Sequence, residues 1–226
     1  MNQMSRSQQN RLARRRAILG AALKVFSEAG YSGATMDAVA LEAGLSKPTL
    51  YQYFKSKEAL FSAMMLGKRD EMLDVFEHSP HSSMVEDLLR FAWDYADTVM
   101  RPDLLSLARL IIGEVQRFPE IGRAYQSAGP DHVLRGIMAY LDARRADGRL
   151  DFDDTELAAE DLWGLVLSAP RTRALYMPDA APARAELARY IHHGIRVFLR
   201  AYSTRPEADL ATFDALVRAQ STTGDA

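Results

Sequence analysis

Apolar residues recur at helical spacing along most of the chain. Ile18, Ala22, Val25 and Phe26, widened by Leu19 and Leu23, predict a helix from about Leu12 to Ala29, with Gly30 as its stop. Thr35 is a good N-cap for a second helix with Val39, Ala40 and Ala43 on its inner side and Asp37 in the first turn, where the dipole favours an acid. Gly44 suits the left-handed residue that ends it. Ser46 then caps a third helix that tolerates Pro48 in its first turn and anchors through Leu50 and Phe54. Two short helices joined this tightly, behind a longer packing helix, spell a helix-turn-helix.

Ser56 opens a fourth helix predicted to reach about Glu77, and the segment 78–83, HSPHSS, is expected to be a loop and domain boundary. Beyond it the pattern stays helical. Val85, Leu88, Leu89, Ala92, Ala96 and Val99 form one stripe, with Phe91, Trp93 and Tyr95 off it. Further helices are expected over about 103–117, around Val133 to Leu141, over 154–169 and over 182–201. Strand alternation and internal repeats are absent, so the fold class is all-α. The expected organisation is a disordered basic arm over 1–11, a helix-turn-helix domain over 12–72 with the fourth helix as connector, and a second helical domain over 84–202. Residues 203–226 read as a polar tail holding one short helix around Leu210 to Val217.

Charge sharpens this picture. The net charge of −2 conceals +6 on residues 1–57 and −8 on the remainder, which directs a polyanion to the N-terminal end. The 226 residues contain no cysteine, which removes disulfides and thiolate chemistry and fits a reducing compartment. The longest apolar-rich stretch, Leu104 to Ile112, falls far short of the roughly twenty residues a membrane helix needs, so a cytosolic protein without membrane contact is expected. Phosphate loops, H-E-x-x-H and G-x-S-x-G are all missing, and His192 and His193, being adjacent, point to different sides of a helix. Catalysis, a metal site and a cofactor are therefore not expected; His78 and His81, near Glu77, read as solvated loop residues.

With Leu50 facing inward, Pro48, Thr49, Tyr51 and Gln52 point outward or sideways, and Lys47 stands at the helix start. A recognition helix offers its N-terminal residues to base edges in the major groove. Gln can pair with adenine, Lys can donate to guanine, and Thr or Pro can touch a thymine methyl, so Lys47, Pro48, Thr49 and Gln52 are the expected readers. Thr35, Ser46, Tyr51, Tyr53 and Lys57 are candidates for the DNA-binding flanks, with Tyr53 packing partly inward. The alternative is a generic helical hairpin with Tyr51 and Tyr53 as partial core.

Residues 12–72 resemble the DNA-binding domain of TetR/AcrR transcriptional regulators. The resemblance rests on Ile18, Ala22 and Phe26, on Gly30-Tyr31 before Thr35, on Val39-Ala40 and Ala43-Gly44-Leu45-Ser46, and on the run from Thr49 to Leu60. It implies contacts by Thr35, Lys47, Pro48, Thr49, Tyr51, Tyr53 and Lys57. Asp37 departs from members with a basic residue there and is not counted as a contact. Arg11 and Arg14, Arg15 and Arg16 resemble the basic arm that some members lay along the minor groove. More loosely, residues 110–125, LIIGEVQRFPEIGRAY, resemble the AefR-like ligand domain. Together these imply a homodimer on a palindromic operator of double-stranded DNA, repressing until a small hydrophobic effector binds.

Candidates for an effector pocket are Phe91, Trp93, Tyr95, Met100, Leu107, Ile111, Met138 and Trp163, with Arg109 and Glu114 as polar groups embedded among them; ordinary core is the competing reading. For the dimer interface the candidates are Trp163, Tyr190, Ile191, Gly194, Ile195 and Phe198, a stripe that otherwise covers the chain's own core. A rival function is a helix-turn-helix protein without a small-molecule ligand, answering to a protein partner.

Overall fold

The computed structural model describes residues 5–72 and 83–223, all helices and short connections. The expected end of the connector helix near Glu77 and the loop with His78 and His81 lie outside the described residues. Helix α1 (Arg6–Gly33) starts six residues earlier than its apolar stripe suggests. Ser5 accepts from the Gln8 amide while the Gln8 side chain accepts from the Ser5 amide, and this reciprocal cap holds a polar first turn in helical form. The arm expected to be disordered over 1–11 is thus helical from Arg6 onward. Gly30 (φ +71°) breaks the helical backbone, as its position predicts.

α2 (Met36–Glu42) and α3 (Lys47–Tyr53) follow, then α4 (Lys57–Met72), α5 (Met84–Val99), α6 (Pro102–Glu114) and α7 (Pro119–Ala128). α8 (Pro130–Ala146), α9 (Thr155–Tyr176), α10 (Arg184–Tyr202) and α11 (Pro206–Thr223) complete the set. α9 runs through the buried Pro170 to Tyr176 rather than stopping at 169. α11 is no polar tail. Its Phe213 is fully buried, and Asp209 is buried with its carboxylate bonded to Arg149 (2.9 Å) and Ser203 (2.6 Å).

The chain forms two compact units, and they do not divide at residue 84. Met1–Glu71 and Pro102–Pro130 make the first; Met72–Arg101 and Asp131–Ala226 make the second. α6 and α7 therefore belong with the helix-turn-helix. Their Leu107, Ile111, Ile121 and Ala128 are buried in one core with Phe26, Tyr31, Leu50 and Phe61.

The second unit is centred on α5, α9 and α10. At Gly194 the α10 backbone lies so close to α9 that an added Cβ would stand 2.6 Å from the Leu165 carbonyl oxygen. Ile191, Ile195 and Phe198 are fully buried in this same core. These four residues, expected at a partner interface, are taken up by their own chain's α9–α10 contact. Tyr190 and Trp163 keep part of their surface.

His192 lies between the rings of Trp93 (6.4 Å) and Phe213 (5.7 Å), and burial, reinforced by the Arg196 charge, lowers its pKa. The folded state therefore disfavours the imidazolium. Below about pH 6.5, the ordinary histidine value, the unfolded chain binds the extra proton, so stability falls as pH falls through that value. His192→Phe should flatten the dependence of the melting temperature between pH 7.5 and about 5.5. An unchanged slope would show that the acid sensitivity lies elsewhere.

Candidate nucleic-acid interface

The interface is built by three local caps and a clasp. The Thr35 hydroxyl accepts from the Ala38 amide and starts α2, while the Ser46 hydroxyl accepts from the Thr49 amide and starts α3. Gly44 (φ +64°) makes the turn between them, a conformation that favours glycine. Leu50 is fully buried and Phe54 nearly so, which fixes α3 by its inner face. Lys47, Pro48 and Gln52 are exposed as expected, with Thr49 partly covered. Tyr51 and Tyr53 are half-buried and pack against the core, in keeping with the inward lean expected of Tyr53.

Two polar details were hidden in the sequence. Asp37, the departure from the family pattern, forms an ion pair with Lys47 (2.8 Å), and this bond raises the lysine pKa. Such an exposed pair is weak, so it orients Lys47 without trapping it. The Ser46 and Thr49 hydroxyls are within 2.8 Å of each other, so the cap and a predicted base reader share one hydrogen bond.

The clasp lies at the connector between α1 and α2. Lys57 Nζ donates to the carbonyls of Tyr31 (2.8 Å) and Ala34 (3.2 Å) and sits 4.5 Å from the Tyr31 ring centroid. From α6, the Glu114 carboxylate accepts the Ser32 amide at 3.0 Å and comes equally close to where a Gly30 Cβ would be. The Tyr31 ring packs on Phe26, Phe61 and Phe118. Its buried hydroxyl has no hydrogen-bond partner among the described residues, and burial, with the charges of Glu58 and Glu120, pushes its pKa well above the ordinary range. The connector is thereby held from α4, α6 and α7 together.

These contacts correct two expectations. Lys57 was assigned to DNA phosphate, but its ammonium is half-buried on the connector. Leu107, Ile111 and Glu114 were assigned to an effector pocket, but they serve the first unit's core and clasp. Phe91, Trp93, Tyr95, Met100, Met138 and Trp163 do belong to the second unit's core or its margin. Of these, Tyr95 and Trp163 border a cleft of about 170 Å³ with Ser168 and Arg171 of α9. The nine candidates therefore do not line one cavity: Leu107 and Ile111 turn their apolar sides to a different core.

Along the N-terminal half of α1, Arg6, Asn10, Arg11 and Arg14 face a groove whose other side is the α2–α3 turn with Gln52 and Tyr53. Arg15 instead stacks over the Phe54 ring, 5.4 Å from its centroid. A basic groove beside a capped, outward-facing recognition helix is suited to duplex DNA.

Comparison with known proteins agrees. Residues 18–64 match the family described as bacterial regulatory proteins, tetR family, and residues 86–204 match the AefR-like transcriptional repressor C-terminal domain. The chain belongs to the TetR family. It is a helix-turn-helix, DNA-binding transcription regulator, and the relatives it matches are regulators rather than enzymes. Its fold superposes on a TetR-family transcriptional regulator of Mesorhizobium loti with a TM-score of 0.77 and 30% identity, covering 89% of this chain and 100% of that one. The flavonoid-responsive regulator FrrA gives 0.73 and 30%, covering 85% and 98%. The helix-turn-helix regulator YhgD of Bacillus subtilis is 30% identical over 145 residues, 60% of this chain and 69% of that protein. No helix among the described residues is long and apolar enough to cross a membrane.

Proposed function

We propose that this TetR-family protein is a repressor that binds a palindromic operator as a homodimer and leaves it when a small hydrophobic effector binds. The observation that carries the reading is α3: Leu50 holds it from behind while Lys47, Pro48 and Thr49 stand at its open N-terminal end. So short a reader spans few base pairs. Two of them, about 34–36 Å apart on successive major grooves, supply the missing specificity.

The face offered to a second copy is the outer side of α9 rather than the buried stripe of α10. Leu157 is 63% exposed and Tyr176 72% exposed, and Gly164, Ser168 and Thr172 lie between them at one-turn intervals. An aromatic effector is favoured by the cleft beside Tyr95 and Trp163 and by the likeness to the flavonoid-responsive FrrA.

Selection from a random duplex pool tests the reading. An enriched inverted repeat, bound by two chains, is expected. Enrichment of one unrepeated half-site by a single chain would reject the homodimer, and absence of any enriched sequence would reject base reading by α3. Release of the selected duplex by flavonoid-like compounds, at concentrations that leave the fold intact, is the expected effector response.

A further inference from the structure

We propose that the groove between α1 and the α2–α3 turn seats one phosphodiester strand of duplex DNA, making the N-terminal half of α1 a second, non-reading grip on the operator. The proposal rests on the DNA-binding reading above and adds a site beyond the recognition helix.

The groove encloses about 1070 Å³. One wall is a single face of α1: Arg6, Asn10, Arg14 and Ala17 recur at three- and four-residue intervals, with Arg11 alongside. Ala17 brings no bulk to the floor. One turn further on, the same face carries Ala21, which is buried against the core. The stripe is therefore apolar where α1 docks and basic where it overhangs the turn. The opposite wall is Gly44, Leu45, Gln52 and Tyr53, where no side chain or backbone lies within 4 Å of a Cβ built on Gly44. No carboxylate is among the residues lining it.

Charge and length fit a nucleic-acid strand. From Arg6 to Arg14 the helix rises about 12 Å. A DNA strand presents one phosphate per roughly 3.4 Å of helix axis, so three arginines along this face meet about three successive phosphates. The amide of Gln52 and the phenol of Tyr53 add neutral donors from the other side. The grip belongs to a pre-formed helix capped by Ser5, so little chain entropy is lost when DNA enters. The basic run is also sorted by geometry: Arg6, Arg11 and Arg14 face the groove, whereas Arg15 covers Phe54 and Arg16 does not line it.

The test compares the full chain with Arg6→Ala/Arg11→Ala/Arg14→Ala and with Arg15→Ala/Arg16→Ala, on a random-sequence 30-bp duplex over a salt series. All three substituted side chains of the first variant are exposed, and unchanged helicity and melting temperature verify that it folds. The triple variant should bind at least about tenfold more weakly and show a log–log salt slope shallower by about 2 to 3. The double variant should keep the slope to within about 1. Ethylation interference on the selected operator should lose one cluster of adjacent phosphates in the triple variant alone. An unchanged slope in the triple variant, or an equal loss in the double variant, overturns the groove while leaving recognition by α3 intact. Failure of the unaltered chain to bind any duplex overturns the DNA reading itself.

Discussion

Gly194→Ala is expected to lower the melting temperature of the second unit by several degrees, and Gly194→Val to prevent its folding. The added Cβ would lie 2.6 Å from the Leu165 oxygen, 2.8 Å from the Leu165 carbonyl carbon and 3.1 Å from the Val166 nitrogen. All three are backbone atoms of α9, which no rotamer change can move aside. Alanine in a helix normally gains about 1 kcal/mol over glycine, but forced separation of packed elements costs about 1–3 kcal/mol and more where the backbone must yield. The steric term wins because Ile191, Ile195 and Phe198 on the same face are fully buried and lose contact when the helices part. A scanning-calorimetry trace identical to that of the unaltered chain would mean that α9 and α10 do not cross here.

Lys57→Met should weaken operator binding at least about tenfold, equivalent to 1.4 kcal/mol, in a protein that stays folded. The substitution keeps an unbranched chain of similar length and removes the donor to two carbonyls of the connector, each charged hydrogen bond being worth about 1.5–3 kcal/mol. Tyr31 and Ala34 immediately precede the Thr35 cap, so a loosened connector misplaces α2 and, through it, α3. The salt dependence separates this from phosphate contact. A lysine that neutralised a phosphate would take about one unit of slope with it, whereas a lysine bound to carbonyls leaves the slope unchanged. Retained affinity, or a slope shallower by one, would return Lys57 to the phosphate role expected from the sequence.

The same contrast runs through the molecule. Local chemistry is legible in the chain itself. Thr35 and Ser46 cap the helices they were expected to cap, Gly30 and Gly44 take the positive φ their positions demand, and Leu50 with Phe54 forms the anchor of α3. Each depends on groups within four residues, where helix geometry dictates who meets whom. The start of α1 was also local, through Ser5 and Gln8, but an apolar stripe does not register a polar capped turn. The sequence similarly showed which residues were apolar, and not which core they would enter.

That second question was decided by contacts between distant parts of the chain. Glu114 meets Ser32 across 82 positions and Arg149 meets Asp209 across 60. Leu107 and Ile111 join the helix-turn-helix core because α6 packs on α1, which no periodicity announces. Sequence by itself determined the helices, their caps, the reading end of α3 and the basic sign of the N-terminal quarter. Tertiary structure alone decided that Lys57 and Glu114 clasp a connector, that α10 spends its apolar stripe on α9, and that the arginines of α1 divide between a groove and a ring. The physical reason is that helical spacing fixes a residue's face, whereas its partner is chosen by whichever distant surface packs against that face.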